Sequence, residues 1–126
     1  MKHQTDTYNI IGAAMEVHKY LGCGFTEKVY QDALAKEFAR QGIPFKREYP
    51  LQVIYKGEIL DSTYIPDFIC YNKIIVELKA VQEIEPYQQA QAYNYAKVAH
   101  MDVALLINFG KTSLDFERFD IDHKTK

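Results

Sequence analysis

The sequence predicts an α/β domain in which helices flank a mixed central sheet. Three observations carry that expectation. Two helical apolar stripes open the chain, β-type runs fill residues 45–80, and a Gln-, Ala- and Tyr-rich helix separates these from a last apolar run. The order helix, helix, three or four strands, helix, two strands calls for helices packed on a sheet.

The first stripe places Ile10, Ile11, Ala14, Val17 and Leu21 on one face of a helix over 6–21, with Asp6 as its expected cap. Gly22-Cys23-Gly24 breaks it. A second helix opens near Thr26 and runs to Gln41, with Val29, Tyr30, Ala33, Leu34, Ala35 and Phe38 inward and Gly42 just past its end. Pro44 then turns the chain into extended structure. LQVIYKGEIL reads as two strands about Lys56-Gly57, and TYIPDFICY and NKIIVELKAV as a second pair turning at 71–73. Residues 85–99 return to helix. VALLINF (103–109) has the continuous apolar texture of a strand covered on both faces, and LDFERF (114–119) alternates like an exposed edge strand.

The 126 residues make one domain, 1–126, with 48% hydrophobic and 25% charged residues, a globular balance rather than a disordered one. A net charge of -2 excludes a general polyanion coat but leaves room for local nucleic-acid binding. No apolar run approaches the length that crosses a bilayer, and the N-terminus lacks a signal-peptide stretch. Cys23 and Cys70 are too few for a disulfide framework, a four-thiolate zinc site or a four-cysteine cluster, so a reduced, cytoplasmic protein is expected.

Chemistry concentrates in IIVELKAV (74–81). Glu77 and Lys79 lie two apart on a strand and share a face, while Val76, Leu78 and Ala80 take the other. An edge strand with a solvated face would explain both charges. Asp67, however, lies across the 71–73 turn and comes close to Glu77 if the strands are neighbours. Paired carboxylates raise each other's pKa unless a cation sits between them. Oxygen ligands without a thiolate favour Mg²⁺ or Mn²⁺, and a nearby lysine suits a phosphoryl group and its attacking water. Pro66-Asp67 … Glu77-Leu78-Lys79 is thus a PD…ExK arrangement. In GFTEKVY, Glu27 and Tyr30 are at i and i+3 of a helix, where a first-turn acid and a core aromatic would also fit. Gln91 and Tyr95, at i and i+4, would equally suit an ordinary helix edge.

GFTEKVY resembles the signature of the GxxExxY proteins, a branch of the PD-(D/E)XK nuclease superfamily. The likeness runs from Leu21 through Phe109 and takes in the PD, the IVELKAV strand, the Ala90-Gln91 helix and the LLINFG end. Gln91-Ala92-Tyr93-Asn94-Tyr95 is similar to the QxxxY element of RecB-type nucleases. The resemblance implies a restriction-endonuclease-like αβββαβ core and a Mg²⁺- or Mn²⁺-dependent deoxyribonuclease-like phosphodiesterase. Asp67, Glu77 and the backbone carbonyl of Leu78 would bind the metal, with Glu27 nearby or acting through water. Lys79 would orient the attacking water or stabilise the transition-state charge. Gln91 and Tyr95 would position the substrate strand or the catalytic groups, with Tyr30 among the substrate-binding residues. The implied partner is nucleic acid, DNA in preference to RNA, with no membrane and with a homodimer as one means of contacting a duplex.

Weaker signals have blander readings beside them. His18 sits on an inner stripe and suits a hydrogen-bonded boundary histidine better than a site residue. Tyr87, Tyr93 and Tyr95 could stack on bases but suit boundary positions. Lys46, Arg47 and Lys56 form a basic patch if their strands pair. Against the nuclease stand a non-catalytic module holding nucleic acid or protein, and an α/β protein whose carboxylates make only salt bridges. If Glu27, Asp67 and Glu77 converge, the metal-free pocket is electrostatically strained, and Asp67→Asn is expected to stabilise it by ~1 kcal/mol.

Overall fold

Helix α1 (Gln4–Leu21) buries Ile10, Ile11, Ala13, Ala14 and Val17 in the computed structural model, which describes residues 2–123. The helix starts ahead of the expected Asp6 cap. Its flanking residue is His3, at φ 57, and Asp6 lies inside the first turn, where its carboxylate meets His3 Nδ1 at 3.3 Å. Helix α2 (Glu27–Gln41) opens after an extended Thr26 and closes at Gly42, whose φ of 73 is the left-handed conformation that ends a helix at low cost. The Ile43 amide then reaches back to the Phe38 carbonyl at 2.9 Å.

Five strands form one sheet in the order β1 (Phe45–Arg47), β4 (Phe68–Cys70), β5 (Ile74–Lys79), β6 (Val103–Asn108), β7 (Asp115–Asp120). Strands β5 and β6 run parallel, joined through helix α3 (Pro86–Val98), and the other three pairings are antiparallel. All six residues of β6 are buried, as a continuous apolar run requires, and β7 is the exposed edge.

Strands β2 (Leu51–Tyr55) and β3 (Glu58–Tyr64) instead make a separate two-stranded sheet. Pro66 explains the break: lacking an N–H, it cannot continue a ladder, and the chain leaves the hairpin there to enter the main sheet at Phe68. Without this inserted hairpin, the run α2–β1–β4–β5–α3–β6 is the expected αβββαβ order. The expected basic patch does not form, because β1 and β2 belong to different sheets. Lys46 lies over the Tyr49 ring at 4.6 Å, and Arg47 turns to Gln31 and Asp32.

The sheet separates two cores. On one face Phe68, Val76, Leu78, Leu105 and Ile107 pack with Ile10, Val17, Leu34 and Phe38 of α1 and α2. On the other, Ile69, Ile75 and Ala104 pack with Ala96 of α3 and Tyr64 of the hairpin. Strand parity therefore puts Glu77 and Lys79 on the face of α3 and the hairpin.

Candidate active site

Asp67 and Glu77 meet where β4 begins. Phe68 pairs with Val76, so one further step of the antiparallel register sets Asp67 opposite Glu77. The Asp67 amide donates to Glu77 Oε1 at 3.3 Å, and the Leu78 amide donates to Asp67 Oδ2 at 2.7 Å. Each carboxylate is thus fixed by the other strand's backbone, which the turn at Tyr71-Asn72 holds in register, both residues having positive φ.

Two side chains that the sequence did not single out complete the arrangement. Gln31 of α2, only 4% exposed, donates Nε2 to Asp67 Oδ1 at 2.9 Å. Arg47 Nε and one terminal nitrogen donate to Gln31 Oε1 at 3.0 and 2.7 Å, fixing which way the amide faces. The same guanidinium contacts Asp32. From the hairpin, the Tyr64 hydroxyl donates to Glu77 Oε2, and its ring stacks on Tyr95 of α3 at 4.1 Å between centroids. The available sequence signal for Gln31 was a polar residue on the stripe of Leu34 and Phe38. For Tyr64 it was a phenol just ahead of Pro66-Asp67.

Burial, and then the neighbouring Asp67 charge, push the Glu77 carboxyl up to about 7 from its ordinary 4.5, although the Tyr64 hydroxyl bond opposes them. Burial first, then the Glu77 charge, pushes the Tyr64 phenol upward as well. The raised Glu77 value means that the folded protein binds a proton more tightly than the unfolded chain. Metal-free stability is therefore expected to fall as pH rises from about 4.5 to about 7, by on the order of 3 kcal/mol, and then to level off. Urea unfolding at pH 5 and pH 7.5 measures this, and Glu77→Gln should remove the slope and raise stability at neutral pH. A slope unchanged in that variant would place the titration elsewhere.

The same geometry removes the stabilisation expected of Asp67→Asn. Both Asp67 oxygens accept N–H donors, so an asparagine NH₂ must face either the Leu78 amide or the Gln31 amide that Arg47 holds in place. A lost hydrogen bond then offsets the relieved repulsion.

The other expected site residues are placed as follows. Lys79 is half-buried, one alternate position beyond Glu77, and makes no ion pair among the described residues. Glu27 is exposed, and among the described residues no group of three or more His, Cys, Asp or Glu side chains is arranged to hold a metal ion; the three-carboxylate pocket does not form. Tyr30 has no exposed surface. Its hydroxyl donates to the Gly22 carbonyl at 2.5 Å and accepts from the Phe25 amide at 3.3 Å, so it ties down the turn before α2. Gln91 is exposed on α3, and Tyr95 is half-buried against Tyr64. His18 takes the bland role, its Nε2 donating to the Lys111 carbonyl at 2.9 Å.

Behind the site, Asn108 clamps the chain after β5. This fully buried residue accepts from the Val81 and Gly110 amides, both at 3.0 Å, and donates to the Val81 carbonyl at 2.9 Å. The Phe109 amide bonds the Lys79 carbonyl at 2.8 Å.

Two carboxylates supply hard oxygen donors, a set that fits a small divalent cation retaining several waters. A mixed α/β sheet with such a pair and a lysine at the end of adjacent strands is a nuclease-like architecture. The sequence model of the PD-(D/E)XK nuclease superfamily matches residues 4–119, and the chain belongs to that superfamily. No curated protein and no solved structure matches it. Among the described residues no helix is long and apolar enough to cross a membrane.

Proposed function

We propose that this chain is a GxxExxY-type, Mg²⁺- or Mn²⁺-dependent nuclease hydrolysing phosphodiesters of DNA in preference to RNA. The observation that carries the reading is the Asp67–Glu77 pair, held by backbone amides and shielded enough to raise the Glu77 pKa, with Lys79 on the same strand face. Asp67, Glu77 and the Leu78 carbonyl would hold the metal. A bound divalent ion supplies an activated water and polarises the phosphoryl group. Gln31 and Arg47 keep Asp67 oriented toward the pair. Lys79 directs the attacking water and offsets charge on the phosphoryl oxygens. Gln91 and Tyr95 position the substrate strand from α3. Glu27 acts through water from the exposed start of α2, on the turn that Tyr30 secures.

The test is incubation of labelled single-stranded DNA and RNA with Mn²⁺, Mg²⁺ or EDTA. Cleavage should require metal, favour DNA and disappear in Asp67→Asn. Mn²⁺ should also raise the melting temperature of the wild type and do much less for the variant. A metal-dependent thermal shift without cleavage would favour the non-catalytic module. Neither effect would leave only the fold.

A further inference from the structure

A groove of about 450 Å³ opens between the tip of the β2–β3 hairpin and the C-terminal end of α3. Its ionisable lining is entirely basic: Lys56 from the hairpin turn, Lys97 from α3, and His100 and His123 beyond it, over Ile54 and Val98. The chain carries 17 acidic residues against 15 lysines and arginines, so a groove wall without a carboxylate departs from the chain's balance. Neither lysine is engaged in an ion pair among the described residues.

Three features link this groove to nucleic acid rather than to a free anion. Beside Lys56 lies Tyr55, 58% exposed, with the ammonium 5.4 Å from the ring centroid; an open aromatic face next to a cation suits a base and its phosphate. The His100 and His123 rings stack at 5.9 Å, and His123 Nε2 donates to the Met101 carbonyl at 2.7 Å, which holds that ring against the groove. Finally, the groove lies in line with the carboxylate pair. Strand β3 starts beside the Lys56-Gly57 turn and ends at Tyr64, on Glu77, a span of about 20 Å at strand rise. On α3, Gln91, Tyr95 and Val98 fall at i, i+4 and i+7, one stripe leading from the site to the groove.

We propose that this groove holds the phosphate backbone of a single nucleic-acid strand a few nucleotides from the bond positioned at Asp67 and Glu77. The inference rests on the nuclease reading for the strand's path, while the groove's affinity is independent of catalysis. A cleft between a helix and a hairpin tip, with one exposed aromatic beside it, fits a flexible strand better than a duplex.

The experiment compares wild type with the double variant Lys56→Gln/Lys97→Gln. Fluorescence anisotropy of a labelled oligothymidylate in EDTA is followed across a salt series. Mn²⁺-dependent hydrolysis of bis(p-nitrophenyl) phosphate, too small to reach the groove, is measured alongside. Losing two phosphate contacts should weaken binding roughly tenfold at low salt and lower the slope of log K against log salt by about 1.4. Hydrolysis of the small diester should be equal in both proteins. An unchanged affinity and slope would overturn the groove. Variant-sensitive binding to a duplex of the same length that equals binding to the single strand would overturn its single-strand assignment. If neither protein hydrolyses the small diester while the binding slope drops as stated, the groove stands and the catalytic reading falls.

Discussion

Lys79→Ala is expected to lower Mn²⁺-dependent cleavage of single-stranded DNA on the order of 10²–10³-fold while leaving the melting temperature essentially unchanged. The two halves of this result have different origins. Lys79 ends β5 on the face of Glu77, and no ion pair among the described residues depends on it. Truncation therefore strands no buried countercharge, and the neighbouring Leu78 remains packed in the core. On the proposed mechanism its ammonium acts where charge develops on the phosphoryl group, so the loss should fall on the chemical step. Single-turnover cleavage together with thermal melting separates these effects. Equal activity in wild type and variant would identify the nuclease as a contaminant.

Asn108→Ala should have the largest effect on stability, about 4 kcal/mol. Three backbone groups, the Val81 N–H and C=O and the Gly110 N–H, lose their side-chain partner in a place that exposes none of Asn108 to water. Each unsatisfied buried group costs roughly 1–3 kcal/mol. Total stabilities are typically about 5–15 kcal/mol, so the midpoint of urea unfolding should drop steeply. Gly110→Ala attacks the same clamp by another route. A Cβ at Gly110 would lie 2.4 Å from the Val81 backbone nitrogen and oxygen, and backbone atoms cannot rotate away. A loss below about 1 kcal/mol in Asn108→Ala would show that water replaces the amide.

These residues also show what sequence periodicity can convey. Alternation along IIVELKAV placed Glu77 and Lys79 on one face, and the continuous run VALLINF marked a strand covered on both sides. Both follow from one strand's own pattern. Periodicity does not name partners. Gln31 and Tyr64 bond the carboxylates directly and Arg47 acts through Gln31, from three different elements, and only the packing of α2, β1 and the hairpin brings them there. Helical spacing paired Glu27 with Tyr30, but the Tyr30 hydroxyl went to the preceding turn and Glu27 stayed in solvent. The Lys46, Arg47 and Lys56 patch assumed that consecutive strands pair, which Pro66 and the separate hairpin prevent. The role of Asn108 was hidden because an amide inside an apolar run carries no sign of which backbone it will satisfy.

The turn of Tyr71, Asn72 and Lys73 acts as a ruler. Its length alone decides which residue of the β4 entry faces Glu77. Glu77 is independently locked to its face by the six parallel pairings of β5 with β6. One residue added to the turn would slide β4 by a step and bring Phe68 opposite Glu77, leaving Asp67 out of phase. Substitutions there that tolerate the turn's positive φ should be nearly silent, whereas insertions and deletions should separate the carboxylates and also turn Phe68 and Ile69 away from the cores they fill. The site is thus encoded partly as a spacing, a kind of information that no single side chain holds.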